Sequence, residues 1–422
     1  MNRVVRVFAY VLLLSAVAHG VRTPSILSSL SRAQGKSLVL IGGGVDPDNA
    51  EIWNTIVDMA GGPGQARIGV VTSASADPND SFQYNGREIL MERYGAADVI
   101  HINVSIWDPS VANNPALADL VRTMTGFYFG GGDQSRVIQS MYLDGHVDTP
   151  VLAAIREQFE AGAVIAGSSA GAACHTTSVM VTGGWSWEAL KDGAMTSSNN
   201  CCDLTYNPDG GLAMLDGYIL DTHFAERGRE GRMIRLISDT KHEPRGVSYG
   251  IGVGENTALV VTHANTPQAE GKILGENGVT FFDLSSSYVD TSQRYFTIRD
   301  VYMTYLTHGD VYNLHNHDVT FASDKIELKG NENYDHALTS NDIFYGKSSQ
   351  PNRKPEFVRA ATSIFDARLD TSTYGTTYEK NPRFRVEMSR AGREAVGYVK
   401  RVSGFHTDVH SYKDMYVAIR EN

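Results

Sequence analysis

Continuous apolar runs recur through the first half of the chain, and each is followed by small residues. Because these runs show no alternation of apolar and polar positions, they predict strands that are buried on both faces of a parallel sheet. Helical spacing of Trp53, Ile56, Val57 and Ala60 predicts a helix after the first run. The predicted strands cover residues 38–41, 67–72, 98–102, 126–129 and the apolar segment that leads into residue 167.

Helices are also predicted between these strands, over residues 86–94, 116–124 and 149–161. Strand–helix alternation at intervals of roughly 25–35 residues indicates an α/β fold with a doubly wound, mostly parallel sheet. In such sheets ligands bind outside the carboxyl ends of the strands. Small-residue loops follow four of the strands, so we expect them to meet at one edge of the sheet. These loops are 42–44, 73–75, 130–134 and 167–171.

The second half of the chain has a different pattern. Strands are predicted at 217–221 and 257–261, and the tryptophan-rich residues 182–188 indicate a loop. Residues 270–315 alternate like a β meander. From about residue 316 the chain is polar and rich in turns, which predicts a β-rich C-terminal extension with strands near 357–358 and 397–399.

These patterns divide the chain into five segments. Residues 1–20 carry Arg3 and Arg6, then an apolar run from Val7 to Val17 and small residues, which is typical of a secretory signal peptide. The run is shorter than the roughly 20 residues that span a bilayer, and no later run is long enough. We therefore expect a secreted, extracellular protein that leaves the membrane once its signal is removed. The other segments are a linker (21–35), an α/β domain (36–270), a meander that continues it (271–315) and a C-terminal extension of unknown role (316–422).

Composition and charge argue against two classes of ligand, nucleic acids and nucleotides. The 422 residues carry a net charge of −11, which argues against a nucleic-acid-binding protein. The glycine-rich loop at 42–44 lacks the G-x-G-x-x-G spacing and the lysine of nucleotide-binding loops, so no nucleotide cofactor is predicted.

The three cysteines are Cys174, Cys201 and Cys202. Adjacent cysteines rarely bond to each other, so one of the pair is a candidate partner for Cys174. No C-x-x-C spacing indicates zinc, and no metal is predicted. Sequons at Asn79 and Asn103 would carry glycans in a eukaryotic host.

The segment Gly167-Ser168-Ser169-Ala170-Gly171 matches the G-x-S-x-G nucleophile elbow. In such an elbow the serine lies on a sharp turn between a strand and a helix, and small residues allow the tight backbone. Ser169 is therefore the candidate nucleophile. Backbone N–H groups near Ala170 and near Gly131 or Gly132 are candidate donors to an oxyanion.

A serine nucleophile needs a base and an acceptor that orients the base. His223 is the candidate base, because it follows the predicted strand at 217–221 and should lie at the same edge as Ser169. Two carboxylates compete for the third role. Glu255 follows a glycine-rich turn before a strand, whereas Glu188 lies in the tryptophan-rich segment. The sequence favours Glu255.

Three arginines, Arg227, Arg229 and Arg232, follow His223 directly. Cations are not favoured near a helix N-terminus, so their concentration there indicates a function. Arginine binds carboxylates in a bidentate manner. We interpret the cluster as a site for a carboxylate-bearing substrate.

With these residues in place, the chain resembles the cyanophycinase branch of the serine peptidase family that includes aspartyl dipeptidase. Four segments between about residues 36 and 315 carry the resemblance, in family order. The chain departs from the family pattern in three places. A longer insertion holds Cys201 and Cys202, and the tail beyond residue 316 lies outside the match. At Gly254, directly before the glutamate, the family often has an acidic residue. The matching segments are Phe129–Gln134, Gly167–Ala172, Asp221–Arg229 and Gly250–Thr257.

The resemblance implies a flavodoxin-like fold related to class I glutamine amidotransferases, and a Ser-His-Glu triad at Ser169, His223 and Glu255. It also implies that Gln134 and Asp221, with the three arginines, contact substrate. Cyanophycinases of this family cleave multi-L-arginyl-poly-L-aspartate into β-Asp-Arg dipeptides and use no cofactor, so a peptide rich in aspartate and arginine is the expected partner. Homodimerisation is a further expectation. The alternatives are an α-aspartyl dipeptidase and a catalytically inactive binding protein of the same fold.

Overall fold

The computed structural model describes residues 35–349, 355–402 and 408–422. The predicted signal peptide and all but residue 35 of the predicted linker lie outside the described residues. No helix within the described ranges is both long and apolar enough to cross a membrane.

Most of the predicted strands and helices of the first half form as expected. The strands are β1 (Leu38–Ile41), β2 (Arg67–Val71), β3 (Asp98–Ile102), β4 (Gly126–Phe129), β5 (Tyr142–Leu143), β6 (Val147–Asp148), β7 (Val164–Ser168), β8 (Met180–Gly183), β9 (Ala194–Met195), β10 (Leu204–Asn207), β11 (Ile219–Asp221), β12 (Tyr249–Val253), β13 (Thr257–Thr262), β14 (Glu270–Gly275), β15 (Gly278–Asp283), β16 (Tyr288–Val289), β17 (Ile298–Thr307), β18 (Val311–Asn313), β19 (Val319–Thr320), β20 (Ile326–Glu327), β21 (Ser372–Thr376), β22 (Phe384–Ser389), β23 (Val396–Lys400) and β24 (Val409–Glu421).

The helices are α1 (Ala50–Met59), α2 (Pro78–Ser81), α3 (Pro115–Val121), α4 (Gln134–Met141), α5 (Pro150–Glu160), α6 (Ala170–Ala173), α7 (Ser186–Asp192), α8 (Glu230–Thr240) and α9 (Glu356–Phe365). A π-helical segment, Phe82–Arg93, continues α2, and a 3-10 segment, Pro109–Asn113, precedes α3.

The first sheet is mixed and has the strand order β19-β18-β14-β13-β1-β7-β4-β2-β3. The five strands from β1 to β3 in that order run parallel, and β1 pairs antiparallel with β13. Val39 and Ile41 pack in one core with Trp53 of α1, whereas Leu38 and Leu40 pack in another with Ile155 of α5. Helices thus cover both faces, which explains the absence of alternation in β1.

The second sheet connects the C-terminal residues to the rest of the chain. Its order is β11-β12-β15-β17-β24-β22-β21, and β24 pairs antiparallel with β17. Its core joins α7, α8 and α9 to the same sheet. Because β11 and β12 lead into His223 and Glu255, this sheet positions two candidate site residues.

Residues 271–315 differ from the single meander predicted for them. β14 and β18 pair within the first sheet, whereas β15, β16 and β17 pair within the second. The chain passes between two sheets here, and alternation along one strand does not show which sheet the strand joins.

Three local predictions are wrong. The glycine-rich segment before Glu255 is not a turn, because Tyr249–Val253 forms β12. Residues 182–188 are not a loop, because β8 ends at Gly183 and α7 begins at Ser186. The segment 357–358 is not a strand but lies within α9. Phe357, Ala360, Ala361 and Ile364 are buried at helical spacing, a period that a short apolar pair does not reveal.

The cysteines are all free thiols. Cys174 is buried under the elbow, where its Sγ donates to the Gly171 carbonyl at 3.5 Å. Cys201 Sγ lies 3.3 Å from Cys202 Sγ. The candidate pairing with Cys174 is therefore absent from the structure.

Candidate active site

Ser169 lies on the sharp turn between β7 and α6. Its backbone has φ 57° and ψ −121°, which an L-residue adopts only under strain. A Cβ on Gly167 would lie 2.0 Å from the Gly171 carbonyl oxygen, and one on Gly171 would lie 2.1 Å from that of Phe129. Both flanking glycines are therefore required by close backbone contacts, and the Ser169 N–H donates to the Ile41 carbonyl at 3.0 Å.

His223 contacts the other two members of the predicted constellation. Its Nε2 lies 2.7 Å from Ser169 Oγ, and its Nδ1 lies 2.6 Å from Glu255 Oε1. With the carboxylate accepting from Nδ1–H, Nε2 is the acceptor for the Ser169 hydroxyl proton. The His223 side chain is 13% exposed and that of Glu255 is 36% exposed. The arrangement can remove a proton from Ser169 and hold the imidazole in the required tautomer.

The glycine turn after β1 supports His223 and Glu255. The His223 N–H donates to the Gly42 carbonyl at 2.7 Å, and the Asn256 N–H donates to the Gly43 carbonyl at 2.9 Å. Gly43 has φ +100°, and a Cβ there would lie 2.2 Å from Cε1 of the His223 ring. The turn was predicted to lie at the site, and it packs directly beneath the imidazole.

The pKa of His223 lies below its ordinary value of 6.5. Burial is the largest cause; the hydrogen bond to Glu255 opposes it, and the charges of Arg227 and Arg229 add to it. At neutral pH the imidazole is therefore uncharged and can accept a proton.

Glu188, the competing carboxylate, has a different partner. Its Oε1 accepts from the Lys347 N–H at 3.0 Å, and its side chain is buried within α7. Glu255 is the carboxylate that contacts His223 in the structure.

A cavity of about 440 Å³ opens beside Ser169. We call it the Ser169 cavity. Ala170 and Gly132 line it, and a Cβ on Gly131 would lie 3.4 Å from Ser169 Cβ, so the three candidate oxyanion residues adjoin the serine. The remaining predicted substrate residues also line it, namely Gln134, Asp221, Arg227, Arg229 and Arg232.

Asp221 neutralises part of the arginine cluster. Its carboxylate accepts from Arg232 Nε at 2.8 Å and Nη2 at 2.6 Å, and from Arg229 Nη1 at 3.1 Å. Burial raises the pKa of Asp221, but the charges of Arg232 and Arg229, together with hydrogen bonds from Arg232 and the Thr222 N–H, hold this pKa below its ordinary value. Burial, followed by the charge of Arg232, lowers the pKa of Arg229 to about 9, which leaves it a cation at neutral pH.

Arg227 differs from the other two arginines. It is exposed, and no ion pair of its guanidinium exists within the described ranges of the chain. Gln134 already uses one of its donors, since its Nε2 donates to the Val181 carbonyl at 2.7 Å. Arg227 is thus the cation of the cavity that remains available to a ligand.

Sequence reasoning gave no role to five polar residues that line the Ser169 cavity: Asp133, Ser135, Thr182, Thr205 and Thr222. Asp133 adjoins Gln134 in the same loop, which was a usable signal. Thr182 lies on β8 and Thr205 on β10, and the Thr182 hydroxyl donates to Thr205 Oγ1 at 2.8 Å. Their strands were predicted as loop and insertion, so no sequence signal placed them at the site.

Gly254, the position that departs from the family pattern, lies against a buried carboxyl group. A Cβ there would lie 2.9 Å from the Gly278 carbonyl oxygen and 3.2 Å from Glu226 Oε1. Burial is the largest influence on Glu226 and raises its pKa. An acidic side chain at position 254 would therefore lie against a second carboxyl group, which would be unfavourable.

Comparisons with known proteins find a family match, similar curated proteins and a similar solved structure. The model of peptidase family S51 matches residues 38–267. A cyanophycinase of Synechococcus elongatus is 30% identical over 295 residues, which cover 67% of this chain and 81% of the relative. A cyanophycinase of Trichormus variabilis is 28% identical over 301 residues, covering 69% of this chain and 90% of the relative. A crystal structure of a peptidase from an acI-B1 actinobacterium is 20% identical, covers 66% of this chain and 97% of its own, and superposes with a TM-score of 0.45.

Proposed function

Because the chain belongs to peptidase family S51 and is similar to cyanophycinases, we propose that it is a serine-type peptidase that hydrolyses cyanophycin-like polymers to β-Asp-Arg dipeptides. The observation that carries the serine-type mechanism is the continuous hydrogen-bonded chain from Ser169 Oγ through His223 to Glu255. The finer architecture that goes with this proposal is a flavodoxin-like sheet with a β-rich C-terminal extension.

In the proposed acylation step, His223 Nε2 takes the Ser169 proton while Oγ forms a bond to the scissile carbonyl carbon. Glu255 stabilises the imidazolium that results. The carbonyl oxygen becomes an oxyanion, which N–H groups near Ala170 and near Gly131 or Gly132 would stabilise. The C–N bond then breaks, and His223 gives its proton to the leaving nitrogen. Water, with His223 again as base, hydrolyses the acyl-enzyme and restores the Ser169 hydroxyl.

The charges of the Ser169 cavity support a substrate that bears both carboxylates and guanidinium groups. Arg227 offers an exposed guanidinium to a substrate carboxylate. Asp221 is buried and already accepts from two arginines, so its role is to hold Arg229 and Arg232 in place. Asp133 is the acidic residue of the lining without an ion pair among the described residues, which makes it the candidate acceptor for a substrate guanidinium.

The test is incubation of purified protein with cyanophycin and, separately, with Asp-X dipeptides, followed by mass spectrometry of the products. We expect release of β-Asp-Arg from the polymer. Cleavage of the dipeptides alone would contradict the substrate and favour an α-aspartyl dipeptidase. Binding of the polymer without any cleavage would contradict the enzymatic function.

The proposal includes export from the cell. It is supported by the basic start of the chain and the apolar run from Val7 to Val17. N-terminal sequencing of protein from the culture medium should give a chain that begins near residue 21. Retention of Met1 in protein found only inside cells would contradict export.

A further inference from the structure

A second polar cavity lies in the C-terminal part of the chain, beyond the family match. Its volume is about 690 Å³, larger than that of the Ser169 cavity and within the range typical of ligand sites. Residues of α9, β21 and β22 and of the loop at 339–341 surround it. We call it the Arg383 cavity, and it is lined by Thr339, Ser340, Asn341, Glu356, Arg359, Tyr374, Thr376, Arg383, Arg385 and Asn422.

Three guanidinium groups line this cavity, and two of them are held in place. Arg359 donates to Glu356 through Nε at 3.2 Å and Nη2 at 2.6 Å. Arg385 lies 3.6 Å from the centroid of the Tyr374 ring, and its Nε donates to Glu387 Oε1 at 3.2 Å. Ordered guanidinium groups lose little further side-chain entropy when a ligand binds.

Arg383 has no carboxylate partner within the described ranges. Its Nε donates to the Thr377 carbonyl at 3.2 Å, and its side chain is half-buried. Glu387 does not supply the missing charge, because it also accepts from Arg420 Nη2 at 2.9 Å. The side chains of the lining therefore carry three guanidinium groups and one carboxylate, that of Glu356, beside the α-carboxylate of Asn422.

The other polar groups of the lining are able to donate hydrogen bonds. Ser340 Oγ accepts from the Asp342 N–H at 3.2 Å, which leaves its own proton for another acceptor. Ser340 and Thr376 are each 9% exposed. Hydroxyls of Thr339 and Thr376 and the amide of Asn341 add further donors. An excess of donors and of positive charge favours an anionic ligand with several acceptor oxygens.

From this lining we infer that the Arg383 cavity binds a ligand that carries several carboxylates, such as an acidic peptide. The guanidinium groups come from α9 and from β22 and its preceding residue, so a ligand with separated carboxylates contacts more of them than one small anion does. Arginine recognises each carboxylate through paired N–H donors. The inference concerns binding alone and stands whether or not Ser169 is a nucleophile.

The test is isothermal titration calorimetry of tetra-aspartate into Ser169→Ala protein, with and without Arg383→Ala. We expect Arg383→Ala to weaken binding to one site at least tenfold. Lys329→Ala removes a charge from an exposed residue outside this lining and should leave the affinity unchanged. Thermal unfolding measurements establish that the variants are folded, and Arg383→Lys, which keeps the charge but not the paired donors, should give an intermediate affinity.

Three results would overturn the inference. If tetra-aspartate binds with the same affinity to proteins with and without Arg383→Ala, the peptide binds elsewhere. Loss of all tetra-aspartate binding in Arg227→Ala would assign the ligand to the Ser169 cavity. Binding of inorganic phosphate that depends on Arg383, without binding of tetra-aspartate, would show that the ligand is a small anion.

Discussion

His223 is subject to two opposing influences on its proton affinity. Burial and the charges of Arg227 and Arg229 lower its pKa, whereas the hydrogen bond from Nδ1 to Glu255 raises it. The net effect is a pKa below 6.5, so the base is mostly uncharged at neutral pH. A peptidase that uses this base should therefore keep its activity at neutral pH and lose it at a pH below 6.5.

Replacement of Arg227 by glutamine tests this account of the base. Removing the positive charge favours the imidazolium, so the His223 pKa should rise and the acid limb of kcat/KM against pH should move to higher pH. Lys329→Gln, which removes a charge outside the cavity, is the matched control and should not move the limb. An acid limb that stays in place, or moves to lower pH, in Arg227→Gln would contradict the assignment.

Single residues were the most predictable part of the site. Ser169 follows from an elbow motif and His223 from the end of a predicted strand, which local sequence describes well. Glu255 was favoured over Glu188 only because it follows a glycine-rich segment before a strand. Which of the three arginines form ion pairs was not predictable in the same way. Asp221 lies before all three in the sequence, and only the folded chain shows that it pairs with Arg229 and Arg232 and leaves Arg227 exposed.

At the scale of elements, the turn after β1 positions the residues of the site. This turn consists of Gly42, Gly43 and Gly44. It lies between the first sheet and the residues that follow β11 and β12. Their lack of side chains lets His223 and Glu255 approach the end of β1 closely. The sequence predicted that this glycine loop lies at the same edge as the site, but not which residues it contacts.

Gly43→Ala should therefore disable the site without unfolding the sheet. The new Cβ would overlap the imidazole and displace it, and a displacement near 1 Å costs on the order of 10²-fold in kcat/KM. Gly62→Ala is a matched control, because Gly62 has a similar φ of +92° and open space around its Cβ position. Equal activity of the two variants, measured on the same substrate, would contradict the proposed role of the turn.

Element boundaries were predictable where the apolar positions formed a continuous run or a helical period. β1 and α5 are examples. α7 and α9 were missed because each buries its apolar residues against the second sheet, and that sheet is built from distant parts of the chain. Tertiary packing, and not local propensity, decides the structure of such segments.

At the scale of the whole molecule, the C-terminal residues are structurally continuous with the site. β24 pairs with β17, β22 and β23, and Tyr412, Met415, Val417 and Ile419 are buried in the core of the second sheet. The same sheet holds β11 and β12, which lead into His223 and Glu255. The sequence indicated strands in this region but not that they complete a sheet shared with the site.

A chain that ends at residue 402 should therefore lack a stable fold. Loss of β24 would expose the buried faces of β17 and β22 and leave their backbone groups unpaired. We expect aggregation or loss of near-UV circular dichroism, together with loss of hydrolysis. A soluble, monomeric and active truncated protein would show that the C-terminal strands are dispensable.

The most direct test of the central claim compares Ser169→Ala with Ser168→Ala in the rate of β-Asp-Arg release from cyanophycin. The two residues are adjacent, but only Ser169 contacts His223. We predict that Ser169→Ala lowers kcat by roughly 10⁴- to 10⁶-fold, as loss of a serine nucleophile does. Ser168→Ala should retain most of the activity. Substantial hydrolysis by Ser169→Ala, or equal loss in both variants, would contradict the assignment of Ser169 as the nucleophile.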